Sequence, residues 1–178
     1  VDRIFMRWTS LILVAAVALC AIAAMPFASG DADVAASPIY GVTIPAGYRR
    51  WELIAPSHEA GSLNELRGIL GNSTAMNAYR EGKLPFPDGT VLAKLAWKHV
   101  PSPEDNGALG QTQAFVPGRA TTVQIMVKDS KKYATTGGWG FGRFIAGKPV
   151  DEAQHKTCFP CHEAYAKGHD FVFTRYAQ

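Results

Sequence analysis

The clearest regularity in the chain is a two-residue alternation over residues 90–100. Val91, Ala93, Leu95 and Trp97 form one apolar row, and Leu92, Lys94, Ala96 and Lys98 form the other, which is the period of a β-strand. Gln111 to Val116 and Thr121 to Lys128 read as two more strands, paired antiparallel around Pro117-Gly118. Trp139 to Ile145 carries glycines at alternate positions, as in a strand that another element approaches closely. Tyr48 to Ile54, preceded by a turn at Pro45 and Gly47, and Phe171 to Tyr176 are further strand-like runs.

Helical signals are fewer. Ser62-Leu63-Asn64-Glu65 has the form of a capping box and predicts a helix with Leu63, Leu66, Ile69 and Leu70 on one face, ended by Gly71-Asn72. A second short helix is predicted over Thr74 to Glu81, closed by Gly82 in the left-handed conformation. Asp151 to Thr157 reads as helical, and Pro101 to Gly110 as a polar loop. There is no internal repeat. The sum is an α+β fold, predominantly antiparallel sheet with a few short helices.

The N-terminus changes the compartment. Arg3 and Arg7 precede an apolar run from Leu11 to Ala24, followed by Pro26 and the small residues Ala28, Ser29 and Gly30. That order is expected of a secretory signal peptide over residues 1–30, cleaved near Ala28 to Gly30 and too short in its apolar part for a span of roughly 20 residues, with an uncleaved anchor as the alternative. A flexible mature start over residues 31–40 and one domain over residues 41–178 follow. Without the leader, the 18 basic and 15 acidic residues of the whole chain become 16 and 14, a balance that excludes nucleic acid as a partner. Leu19 stands where lipidation at Cys20 would want a small residue, so the mature chain keeps only Cys158 and Cys161. An exported, periplasmic protein is expected.

Cys158-Phe159-Pro160-Cys161-His162 carries the chemistry. Two thiols at this spacing, with histidine directly after the second, are the attachment signature of a c-type haem. His162 would be the proximal iron ligand. A thioredoxin-like dithiol fits less well, because only 16 residues follow His162. A zinc site using Cys158, Cys161 and two of His155, His162 and His169 departs from the usual spacing, and a disulfide would close too small a loop to help. His58, His99, His155, His169, Met76 and Met126 are candidates for a second axial position. None stands out, which favours an open iron that meets small molecules.

Several segments together resemble the cytochrome P-460 family of exported, β-rich c-type cytochromes. They are Phe86-Pro87-Asp88-Gly89-Thr90-Val91, Val127-Lys128-Asp129-Ser130-Lys131, Trp139 with Phe141, the haem motif, and Phe171-Val172-Phe173-Thr174-Arg175-Tyr176. The resemblance implies one covalently attached haem c, held by Cys158, Cys161 and His162. It implies oxidation of hydroxylamine or reaction with nitric oxide, with electrons passed to a periplasmic acceptor, and a homodimer. The sister cytochromes c′-beta share the fold but mainly bind gases, so a gas-binding or electron-transfer role is the alternative.

Three residues bear on that choice. Lys94 matches the lysine that catalytic members bond to the porphyrin edge, and an amine held against an apolar ring would have a lowered pKa. A solvated lysine on an outer sheet face is the plain alternative. Gln124 stands where catalytic relatives carry a glutamate, and an amide cannot accept a proton as a carboxylate does. Arg67, on the predicted capped helix, matches a distal arginine that would orient a polar ligand.

Overall fold

The alternation at residues 90–100 is realised as an inner strand of an antiparallel sheet, in the computed structural model, which describes residues 35–177. The leader read at residues 1–30 lies outside the described residues. Six strands are arranged in chain order: β1 (Glu52–Glu59), β2 (Glu65–Gly71), β3 (Val91–Pro101), β4 (Phe115–Lys128), β5 (Trp139–Ile145) and β6 (Lys148–Pro149). Each neighbouring pair is antiparallel. Four short helices accompany them: α1 (Ser73–Arg80), α2 (Pro103–Leu109), α3 (Glu152–Lys156) and α4 (Cys158–Ala166). The fold is α+β, with the antiparallel sheet dominant, as the patterning predicts.

Residues paired directly across a sheet share a face, so the register defines rows of side chains. One face carries Gly71, Leu92, Met126 and Phe141 in a first row and Ile69, Lys94, Gln124 and Arg143 in a second. Arg67, Ala96 and Thr122 form a third, and Glu65 with Lys98 a fourth. The first row is closed by α1: a Cβ on Gly71 would lie 2.9 Å from Ala75 Cβ. On the other face Ala93, Leu95 and Ile125 are buried, and the glycines of β5 admit aromatic rings. A Cβ on Gly140 would lie 2.3 Å from the Tyr133 ring. Ser37 and Tyr40, within the stretch read as a flexible start, are buried, and the Ser37 hydroxyl donates to the Phe141 carbonyl at 2.9 Å.

Five expectations are corrected. Tyr48–Arg50 is a single helical turn, and the strand read from Tyr48 begins only at Glu52. The segment after Ser62 is a strand, not a helix. Gly61 and Asn64 take left-handed conformations, φ 80° and 44°, that turn β1 back onto β2. Seven register pairs with β3 then outweigh a weak local helical preference. Residues 101–110 are not all loop: Ser102 caps α2, with Pro103 in its first turn and Glu104 and Asp105 behind it. Residues 111–128 do not form a hairpin. β4 is one strand of 14 residues, and Pro117 falls at an irregular stretch of its pairing with β3, where a missing N–H is tolerated. Phe171 to Tyr176 is not a strand; its carbonyls accept from the side chains of His162, His169, Arg175 and Tyr79 instead. The predicted helix over Thr74 to Glu81 is α1, capped by the Asn72 side chain, which accepts from Ala75 N at 3.0 Å, and followed by Gly82 at φ 61°. No helix of the described residues is long and apolar enough to cross a membrane.

Candidate functional site

The cysteine motif opens α4, where helical spacing sets the thiols of Cys158 and Cys161 and the ring of His162 on one side. Pro160 is tolerated because the first turn of a helix has no use for its amide N–H. Both thiols are free, Cys158 half-buried and Cys161 exposed. Burial raises the Cys158 thiol pKa, against the opposing charges of Arg143 and Lys94. The short α3 holds this turn to the sheet through His155, which is fully buried. His155 Nδ1 lies 2.8 Å from the Asp151 carbonyl, and its Nε2 is 3.1 Å from the Arg143 backbone N–H. A carbonyl can only accept, so Nδ1 carries the proton and Nε2 receives the strand's N–H. Both nitrogens are spent, and His155 is a structural residue.

His162 is placed differently. Its Nδ1 lies 2.7 Å from the Phe171 carbonyl, which requires Nδ1–H and leaves the lone pair of Nε2 available to a metal. Phe141 and Phe173 pack against the ring, each with centroid 4.9 Å away. Burial, and then the Lys94 charge, hold the His162 pKa below its ordinary value, although the Phe171 carbonyl opposes them. The accepting carbonyl belongs to a strained turn: Asp170 and Phe171 stand at φ 49° and 63°. For a phenylalanine that conformation costs about 1–2 kcal/mol.

Lys94 stands in the second row of the same sheet face, between Ile69 and Gln124. Its amine makes no hydrogen bond or ion pair among the described residues. Burial lowers its pKa to about 8, helped by Arg67 and Arg143 and opposed by Glu65 and Glu59. It is therefore not a solvated surface lysine. Gln124 is its neighbour on β4, with its amide 3.4 Å from the Thr122 hydroxyl. Ala96, fully buried, separates Lys94 from Lys98, which turns away to the Leu63 carbonyl.

Arg67 lies in the third row, on β2 rather than on a helix. It is bound by two carboxylates: Nε and Nη2 donate to Glu65 Oε2 at 3.1 and 2.9 Å, and Nη1 pairs with Glu59. Glu65 is itself buried and accepts from Thr121 at 2.7 Å. Burial alone would raise its carboxyl, but the bonds from Thr121 and Arg67 and the charges of Arg67 and Lys94 hold it below its ordinary value. Thr121 can reach it because the register shifts at Ala96–Trp97, leaving that residue without a partner on β3.

Sequence reasoning missed Arg143 and the role of Glu65. Arg143 shares the Lys94 row, and its Nε is buried without a partner. Its one signal was a lone charge inside the apolar run of β5. Glu65 gave a misleading signal, since its spacing from Ser62 imitates a helix cap. Of the other proposed ligands, Met126 shares the face in the first row, and Met76 is buried in the core. The rings of His58 and His99 meet at 4.2 Å in a tilted contact, and His169 bonds the Val172 carbonyl. Among the described residues no group of three His, Cys, Asp or Glu is placed to hold a metal.

The residues fit a haem c. Two unpaired thiols one helical turn apart, an imidazole with Nε2 left open, and a buried guanidinium N–H without a partner are complementary to a macrocycle with two vinyl groups, an iron and carboxylates. None of the curated proteins matches the chain. The sequence model of the Cytochrome P460 family matches residues 45–174, from the turn before β1 through the segment that orders His162. With most of its length matched and the attachment residues in place, the chain belongs to the cytochrome P460 family and is a c-type cytochrome with haem c as its cofactor.

Proposed function

We propose that this protein is an exported mono-haem cytochrome that oxidises hydroxylamine, reacts with nitric oxide, or both, and passes electrons to a periplasmic acceptor. The observation that carries this reading is Lys94: an amine without a partner, in the row with Gln124 and Arg143, and electrostatically coupled to both Cys158 and His162. Haem c supplies, when bound, an iron that takes up electrons and binds small ligands. Cys158 and Cys161 would hold it by thioethers and His162 Nε2 by the iron, with Arg143 suited to one of its carboxylates. Lys94 has the pKa of a nucleophilic lysine, in keeping with the porphyrin bond that the family resemblance assigns to it. Export through the N-terminal leader and a homodimeric state belong to the same proposal.

Gln124 favours a second reading, a cytochrome that binds gases or transfers electrons without turnover. Oxidising hydroxylamine removes protons, and an amide takes none. Glu65 does not replace the missing carboxylate. Its pKa is lowered, which makes it a weak base, and Arg67 occupies it as counterion. A steady-state assay with hydroxylamine and an artificial oxidant tests the enzyme. Turnover no greater than that of free haem removes it. Optical spectra and intact mass of a Lys94→Ala variant beside the wild type test the cross-link, and an unchanged spectrum removes that bond.

A further inference from the structure

Behind the proximal histidine lies a buried ion pair that no part of the proposed chemistry uses. Lys128, the last residue of β4, donates to Asp170 Oδ1 and Oδ2 at 2.8 and 2.9 Å and to the Gly137 carbonyl at 3.0 Å. The two side chains are only 7% and 9% exposed. Asp170 Oδ2 also accepts from Phe86 N at 2.8 Å. Lys128 and Asp170 lie 42 residues apart, so the pair ties the chain after α4 to the end of the sheet.

Asp170 is the first of the two left-handed residues, and the second, Phe171, presents its carbonyl to His162 Nδ1. The Phe171 ring is seated over Gly137, where a Cβ would come within 2.2 Å of it. Its backbone N–H donates to the Ala166 carbonyl at 2.9 Å. Gly137 is thus gripped from two sides, by the Lys128 amine and by the Phe171 ring. A buried ion pair is seldom a net source of stability against an apolar pair of the same size. What this one can supply is a fixed geometry for a turn that would otherwise relax.

We propose that the Lys128–Asp170 pair is a positioning device for the proximal ligand: it fixes the Asp170–Phe171 turn and, through the Phe171 carbonyl, the orientation and donor strength of His162. A firm bond from Nδ1–H makes an imidazole a stronger donor through Nε2. The proposal rests on His162 as proximal ligand, and holds whichever small molecule the iron meets.

The test uses the haem-loaded protein with a Lys128→Met/Asp170→Asn double substitution, which removes both charges at similar volume. Asparagine also tolerates the left-handed turn. Resonance Raman of the reduced protein reads the iron–histidine stretch, potentiometry reads the reduction potential, and thermal unfolding reads stability. The stretch should move to lower wavenumber and the potential should rise. Lys156→Met, which breaks the exposed Lys156–Glu152 pair on α3, should change neither. An unchanged potential and stretch in the double variant, whatever its melting temperature, overturn the proposal. If the wild type shows no iron–histidine band, the open coordination site fails instead, and the potential still decides the positioning role. Should the double variant not take up haem, Asp170→Asn alone supports the same comparison, since its amide oxygen can still accept from Phe86 N.

Discussion

Lys94 is an amine that the fold holds against its preference, and the consequence is measurable as stability. Its pKa is lowered from 10.5 to about 8, chiefly by burial. In the unfolded chain the same amine titrates at its ordinary value. Between those limits the unfolded state therefore binds more protons than the folded one, and raising the pH through the window stabilises the fold. Below about pH 8 both states are charged and the full penalty stands; above 10.5 both are neutral and it vanishes. The gap corresponds to about 3 kcal/mol, which partial exposure of the side chain reduces to about 2 kcal/mol. Lys94→Met removes the charge and keeps the length. Urea denaturation of wild type and variant from about pH 7 to about pH 11 measures the difference across the window. The methionine variant should be the more stable by about 2 kcal/mol at the acid end, and the advantage should shrink steadily toward the alkaline end. A pH-independent difference would refute a free, titrating amine. Intact mass would then show whether Lys94 is consumed in a bond to the porphyrin.

Other substitutions separate chemistry from scaffold. Gln124→Glu supplies the carboxylate that the second row lacks, and should raise hydroxylamine turnover by about 10²-fold if proton removal limits it; steady-state rates with an artificial oxidant decide. His155→Phe removes a fully buried imidazole, leaves the Arg143 N–H without its acceptor and takes from the Asp151 carbonyl its side-chain donor, the backbone N–H of residue 155 remaining. It should cost about 2–4 kcal/mol in chemical denaturation while the optical spectrum of the haem stays unchanged, because His155 is not an iron ligand. Gly140→Ala drives a methyl to 2.3 Å from the Tyr133 ring and should lower stability by about 1–3 kcal/mol, read by thermal melting.

The parts of this molecule that were legible in its sequence are those whose signal is local. β3 announced itself because both of its faces are patterned, and α1 because Gly82 closes it, although Asn72, read as a breaker, is its cap. The haem attachment residues sit within five consecutive positions. α2 has an equally local signal, since Ser102-Pro103-Glu104-Asp105 is a cap, a first-turn proline and two acidic residues in order. β2 was misread because Ser62 and Glu65 fit a capping box equally well as they fit a hairpin. Only the pairing with β3, more than twenty residues downstream, decides between them. Lys128 lies in a segment that carries the family resemblance, but nothing local signalled its pairing with Asp170, 42 residues along the chain. Lys94 and Gln124 lay between these extremes. Their positions on strands were readable, but their being neighbours in one row follows from a register that no local pattern specifies.

The order of the rows explains why the two functional readings stay close in sequence yet differ in chemistry. Along one sheet face the side chains pass from apolar, at Leu92, Met126 and Phe141 near His162, to charged, at Arg67 and Glu65. Lys94 occupies the boundary. On the apolar side two aromatic rings and a carbonyl held by a strained turn fix His162. On the charged side Glu65 is paired with Arg67 and its carboxyl is held below its ordinary range, and Arg143 contributes a guanidinium. Gln124 does not titrate at all. Lys94, at about 8, is then the group in these rows able to exchange a proton near neutrality. If it is bonded to the porphyrin, that capacity is spent on the cofactor, and protons released by a substrate must leave through solvent. On the function proposed above, the chemistry therefore turns on the state of one amine, with the carboxylate missing beside it setting how much that amine matters.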